Sequence, residues 1–166
     1  MIITGRKLLI LGIDPGSHVT GYGVIEKKGN YLRHILHGEV KLKKDSLLST
    51  VLSSIYQQLS VVVADNGPQA IALENIFYGK NVRSLIKQAH VRGVIIFAGV
   101  SSNIPVFEYS PLEVKKAVVG YGRAEKRQVQ IMVKAILKLP ALPPADAADA
   151  LAVAICHANF LKEQPV

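Results

Sequence analysis

Leu8-Leu9-Ile10-Leu11-Gly12-Ile13-Asp14-Pro15-Gly16-Ser17 is the stretch that decides the fold class. An uncharged apolar run meets an aspartate, and Pro-Gly-Ser stops it at once. A run of this length bounded by turn residues has the pattern of a buried strand. Working outward, Thr20 to Lys27 alternates loosely, and Lys28-Gly29-Asn30 is a hairpin signal leading into a third strand over Tyr31 to Leu42. A helix is expected from Asp45 or Ser46, with Leu47, Leu48, Val51, Leu52, Ile55 and Leu59 at helical spacing, closed by Asn66-Gly67-Pro68. Ala70 to Glu74 is a second short buried strand, Asn81 to about Ala98 a second helix, and Pro105 to Tyr109 a further strand. Ser110-Pro111-Leu112-Glu113 has the form of a capping box with Pro at the first helical position, so a short helix starts there. Lys126 to Leu139 reads as another helix, closed by Pro140, and the last begins near Pro144 and runs to about Leu161. Three antiparallel-looking strands followed by strands alternating with helices predict an α/β domain: a mixed five-stranded sheet with helices on both faces.

The chain has 166 residues, 49% hydrophobic and 19% charged, which suits one globular domain over residues 1–166 with the last few residues as a disordered tail. Its formal net charge of +8 points to a polyanionic partner, nucleic acid before an anionic membrane surface. The apolar stretches fall well short of the roughly 20 residues that span a bilayer. The N-terminal run reaches Asp14 too soon for a secretory signal. One cysteine, Cys156, excludes an intrachain disulfide and reads as a buried small hydrophobe within a helix. The expected location is cytoplasmic.

Against this basic background four carboxylates stand out. Asp14 and Glu74 each end a buried strand, and Asp146 and Asp149 open the small-residue helix Ala145-Asp146-Ala147-Ala148-Asp149-Ala150-Leu151-Ala152. Each alone has an ordinary explanation: a solvated strand end, or an acid favoured by about 0.3–1 kcal/mol in the first turn of a helix. Together they say more. Carboxyl ends of buried strands are where ligand sites of α/β sheets collect, and residues at i and i+3 project from one helix face. If that helix starts beside the strand ends, the four converge. Converging carboxylates repel unless a cation compensates, and an all-oxygen set without a Cys or His cluster suits Mg²⁺ or Mn²⁺ rather than zinc. Two such ions about 3.5–4 Å apart are a standard device for phosphodiester hydrolysis. In that arrangement Asp14 would bridge both ions, with Glu74 on one and Asp146 and Asp149 on the other.

Basic and aromatic residues surround these acids in sequence. Phe77-Tyr78-Gly79-Lys80 follows Glu74 on a turn and suits an unstacked base, with Phe77 packed in the core as the other reading. Arg83, Lys87 and His90 share a helix face, either solvated or touching phosphate. Lys115-Lys116 and Arg123 to Arg127, which includes Lys126, cluster around Gly120-Tyr121-Gly122. His18, His34, His37 and His157 lack zinc-ligand spacing and read as structural or solvated. Leu85, Ile86, Ala89, Val94, Ile95, Ile96 and Phe97 give the second helix more apolar surface than one sheet face needs, which leaves part of it for a dimer contact.

These motifs carry a family resemblance. Gly12-Ile13-Asp14-Pro15-Gly16-Ser17 with Thr20-Gly21-Tyr22-Gly23 strongly resembles the opening motif of the RuvC family of Holliday-junction resolvases. So do Glu74-Asn75-Ile76-Phe77 leading to Lys80-Asn81, Val118-Val119-Gly120-Tyr121-Gly122-Arg123-Ala124-Glu125-Lys126, and the closing Ala145 to Ala152. The motifs occur in family order from residue 8 to about 160, nearly the whole chain. The resemblance implies a ribonuclease H-like fold and a homodimeric, Mg²⁺-dependent endonuclease of DNA recombination and repair, with two ions per site and Mn²⁺ able to substitute. Such enzymes nick two like-polarity strands of a four-way junction symmetrically and leave ends that ligase can seal. It also implies a RuvA–RuvB branch-migration partner. Carried over, Asp14, Glu74, Asp146 and Asp149 fall on the metal-binding catalytic acids, Phe77 on the aromatic that stacks at the opened crossover, and Lys115 and Lys126 on basic residues near the scissile phosphate. Tyr78 departs from the aliphatic or Met residue more usual in that loop. A ribonuclease H acting on RNA–DNA hybrid is the alternative. A sugar-kinase-like protein would need a second domain that 166 residues do not accommodate, and a purely binding module would not need the acids.

Overall fold

The apolar run that opens the chain becomes the middle strand of a sheet. In the computed structural model, which describes residues 7–43, 45–76 and 81–161, it is β1 (Leu8–Asp14). The chain continues through β2 (Val19–Lys28), β3 (Tyr31–Lys41), α1 (Leu48–Asn66), β4 (Ala70–Glu74), α2 (Val82–Ser101), β5 (Val106–Tyr109), α3 (Pro111–Val119), α4 (Lys126–Leu137) and α5 (Ala145–Phe160). The five strands lie in the order β3-β2-β1-β4-β5. β1, β2 and β3 form an antiparallel meander, while β4 and β5 add parallel to β1. The mixed sheet expected from the sequence is therefore present, with helices on both faces.

Strand alternation assigns each face. Leu11, Ile13, Ile71 and Leu73 point into a core with Val51, Ile55 and Leu59 of α1 and Val91 and Ile95 of α2. Ile10 and Ala72 point the other way, into a core shared with α3, α4 and α5. By the same alternation Asp14 and Glu74 face the α5 side. The register places them level, because Ile13 pairs with Leu73 in the parallel ladder. Helix α5 is apolar nearly all round because it is enclosed: it packs on β1, β2 and β4 and is covered by α3 and α4.

The approach of α5 is closer than ordinary side chains permit. A Cβ on Gly12 would fall on the Ala150 carbonyl oxygen, and one on Gly21 on the Asp146 carbonyl oxygen. Glycine on the strands and alanine on the helix together let backbone meet backbone, which explains the small-residue composition of α5. Cys156 is buried in this helix, as its sequence context suggests, and burial pushes its thiol up to about 12.

Three helix boundaries differ from the expected ones. α1 starts at Leu48 rather than Asp45 or Ser46, because Asp45 has a left-handed φ of 63° and Leu47 takes the N-cap position without a side-chain cap. α2 runs on to Ser101, since Gly99 is a buried contact with Val106 rather than a stop. α4 ends at Leu137, where Lys138 turns left-handed two residues before Pro140. The capping box of α3 forms as read: Ser110 accepts from the Glu113 N–H, and Glu113 accepts from the Ser110 N–H at 2.7 Å.

Candidate metal and phosphate site

Three of the four carboxylates meet directly. Asp14, Asp146 and Asp149 each offer an oxygen within 4.8 Å of the others, and this is the group of metal-capable side chains found among the described residues. Asp14 comes from the end of β1, while Asp146 and Asp149 come from the first two turns of α5, one helical step apart. Glu74 stands just outside this triad. It is linked to it by a hydrogen bond with Asp14 that favours the ionised Glu74. Asp14, Glu74 and Asp149 line a cavity of about 370 Å³ with Pro111, Val114, Lys115, Lys126 and Val129.

The electrostatics are those of like charges held together. Burial raises the Asp14 carboxyl most, and the charges of Glu74, Asp149 and Asp146 raise it further, to about 8. Burial followed by the Asp149 charge raises Glu74 to about 7. Asp149 is also raised by burial, but Lys126 opposes the rise through an ion pair at 3.4 Å. The same pair raises the Lys126 ammonium in return. A group of carboxylates that resists ionisation by itself is one that a divalent cation would ionise fully. Its donors are all oxygen, so the residues fit a hard cation such as Mg²⁺ or Mn²⁺.

The basic residues divide by position. Lys115 on α3 and Lys126 at the start of α4 lie at the cavity. Lys116, Arg123 and Arg127 are exposed nearby, along the end of α3 and the turn into α4. Arg83 is exposed and Lys87 half-buried on α2. Phe77, Tyr78 and Lys80 lie outside the described residues. The histidines bring no zinc cluster among the described residues. His157 is buried, its Nδ1 hydrogen-bonded at 2.6 Å to the Tyr109 hydroxyl, and burial pushes it down to about 4. His34 and His37 hydrogen-bond each other at 2.8 Å, brought to one side of β3 by the register shift opposite Val24 and Ile25. Arg92 escapes a reading of the sequence: its Nη1 donates at 2.8 Å to the Glu74 carbonyl, and its Nη2 at 2.9 Å to Asn75 Oδ1.

Comparison with known proteins gives the family and the fold. The family model described as crossover junction endodeoxyribonuclease RuvC matches residues 10–157. The chain is 54% identical to the crossover junction endodeoxyribonuclease RuvC of Syntrophotalea carbinolica, over 90% of this chain and 93% of that one. It is also similar to the solved structure of Thermus thermophilus RuvC in complex with Holliday junction substrate, with a TM-score of 0.87 and 32% identity over 92% of this chain and 94% of that one. The yeast mitochondrial Holliday junction resolvase Ydc2 shares the fold at a TM-score of 0.62 and 12% identity, over 91% of this chain and 79% of that one.

Proposed function

The chain belongs to the RuvC family of crossover junction endodeoxyribonucleases, and from that premise we propose that it resolves four-way DNA junctions by nicking two like-polarity strands through Mg²⁺-dependent hydrolysis. The observation that carries the reading is the meeting of Asp14, Asp146 and Asp149 oxygens within 4.8 Å, on a basic protein with the ribonuclease H-like sheet of its relatives.

Asp14, Glu74, Asp146 and Asp149 are the residues that would hold the metal. Bound there, two Mg²⁺ ions, or Mn²⁺ in their place, would lower the pKa of a water and stabilise charge on the phosphate oxygens. The chain's own residues supply position and charge. Lys115 and Lys126, at the cavity wall, offer ammonium groups to non-bridging phosphate oxygens. Lys126 also holds Asp149, so phosphate arriving at the site competes for a cation already aimed there. Lys116, Arg123 and Arg127 extend the positive surface along the duplex arm, and Arg83 and Lys87 form a second phosphate contact on α2. Phe77, Tyr78 and Lys80 complete the reading as the residues that meet the opened crossover.

A homodimer belongs to the same proposal. A four-way junction has approximate two-fold symmetry, and two like cuts call for two sites related by one axis. Support comes from α2, where Phe97 is 64% and Ile86 53% exposed, beside a shallow groove lined by Leu52, Ala89, Gly93 and Val94. Action on DNA in the cytoplasm, with a RuvA–RuvB motor as partner, follows from the family reading.

The test is cleavage of a mobile four-way junction with and without Mg²⁺, beside a linear duplex and an RNA–DNA hybrid. Paired, Mg²⁺-dependent nicks confined to the junction are expected. Preferential cutting of the hybrid would overturn the substrate while leaving the fold and the acids in place.

A further inference from the structure

One side of α2 is stitched to both turns that leave the carboxylate-bearing strands. Ser84, Gln88 and Arg92 are spaced four residues apart, so they form a single row on the helix. Ser84 Oγ donates to Ser17 Oγ at 3.2 Å. One turn further, Gln88 Nε2 donates to the Pro15 carbonyl at 2.8 Å. One turn further again, Arg92 donates to the Glu74 carbonyl and the Asn75 side chain, and pairs with Glu108 on β5. Pro15 directly follows Asp14, and Asn75 directly follows Glu74.

The row therefore grips main chain at the two points where the acids emerge from the sheet. The hydrogen bond between Asp14 and Glu74 needs a shared proton, and once both are ionised, as metal ligands would be, they repel and no longer hold their own separation. The ladder between β1 and β4 ends at Ile13 and Leu73, one residue short of both acids. Beyond that point the row on α2 joins the two strand ends through one rigid element. The chemistry of Arg92 fits this role. Its fork reaches a backbone carbonyl and a side-chain amide together, Glu108 neutralises it, and its side chain is only 11% exposed.

We propose that Ser84, Gln88 and Arg92 are positioning residues for the metal site, with Arg92 the principal one, fixing Glu74 relative to Asp14 through the main chain. The inference rests on the reading of those two acids as metal ligands. Groups that orient ligating carboxylates act on metal affinity and turnover rather than on substrate binding, and their loss costs about 10–100-fold.

The experiment compares Arg92→Gln, Arg92→Lys, Gln88→Leu and Glu108→Gln with the parent chain in three measurements. These are the Mn²⁺ concentration that gives half-maximal thermal stabilisation of the protein alone, the junction-cleavage rate at saturating DNA, and junction affinity without metal. Arg92→Gln is expected to raise the Mn²⁺ midpoint and lower the saturating rate by about 10-fold or more, with junction affinity within about 2-fold. Arg92→Lys, which keeps one donor, should recover part of both. Glu108→Gln, which removes only the ion pair, should lose less than Arg92→Gln. Unchanged metal midpoint and rate in Arg92→Gln overturn the proposal. So does an equal loss in Glu108→Gln, since Arg92 would then serve only to fasten α2 to β5. If Arg92→Gln fails to fold, Arg92→Lys and Gln88→Leu decide the matter by the same midpoint. If the parent chain cuts no junction, the functional reading fails, while the Mn²⁺ midpoint still tests the row.

Discussion

At Asp14, folding and chemistry make opposite demands on one carboxyl group. Burial and three neighbouring acids raise it to about 8, so the metal-free fold keeps protons that the unfolded chain, titrating near its ordinary value of 3.8, would release. A folded pKa raised above the unfolded one contributes stability that is full below the unfolded value and is lost as pH rises through the folded one. Glu74, raised to about 7, acts in the same sense. His157 acts in the opposite sense, but only lower down: with its folded value near 4 against an ordinary 6.5, it removes stability as pH falls from 6.5 toward 4. Between pH 6.5 and 8 the acids are thus read separately from His157. In EDTA the melting temperature should decline across that window, saturating Mg²⁺ should flatten the decline, and Asp14→Asn should reduce it in EDTA. A flat profile in the parent chain would mean that the acids are solvated and poorly coupled. The same substitution should abolish cleavage, by at least about 1000-fold on the scale of a lost essential group. Junction binding should be kept or tightened, because a negative charge beside a polyanion is gone. A gel-shift and cleavage assay on one preparation checks both, and loss of binding along with cleavage would count against Asp14 as a metal ligand.

Among the elements, α5 carries the most consequence, because two of the acids ride on it and its distance from the sheet is set by glycines. A methyl on Gly21 would collide with the main chain at Asp146 itself, so the helix start must move away from Asp14. Gly21→Ala should cost about 1–3 kcal/mol by overpacking and weaken metal binding beyond what that loss of stability explains. Urea unfolding and an Mn²⁺ midpoint on the same variant separate the two effects. An unaltered midpoint would show that the site tolerates a shift of α5. This element is also the most legible in sequence. Its alanines announce close packing, and the spacing of Asp146 and Asp149 puts both acids on one face. β1 and β4 are legible for a similar reason, since an apolar run ending in an acid is a local pattern. The brace behind them is not. Gln88 finds its partner 73 residues away and Arg92 finds its carbonyl 18 away, and both partners are main-chain oxygens that every residue type has. Tyr109 and His157, 48 residues apart, meet by tertiary packing alone. The start of α1 and the end of α4 depart from the sequence pattern because the left-handed turns at Asp45 and Lys138 use residues that do not advertise them.

For the whole molecule, the question is how two cuts on one junction become a single event. The net charge of +8 gives junction affinity that is strongly salt-dependent but does nothing to pair the cuts. In the proposed homodimer a second copy does the pairing, and α2 carries both the residues that hold the turns of the metal site and an exposed apolar surface. Its row of Ser84, Gln88 and Arg92 holds the turns beside Asp14 and Glu74, while Phe97 and Val100, each 64% exposed, and Ile86 stand free on the monomer. Phe97→Asp puts a charge on that surface without removing a buried contact, so the monomer fold should be little affected, within about 0.5 kcal/mol as for other exposed substitutions. Sedimentation should then show a dimer becoming a monomer. On a junction built into a supercoiled circle, cutting in one binding event yields linear product directly, whereas separate cuts accumulate nicked circles. The variant should shift the product from linear toward nicked while keeping single-strand nicking, because each copy has its own Asp14, Glu74, Asp146 and Asp149. A variant that still sediments as a dimer would move the contact away from this face of α2. A variant that is monomeric and no longer nicks at all would mean that the contact holds the acids in place as well as pairing them, with α2 as the element that transmits it.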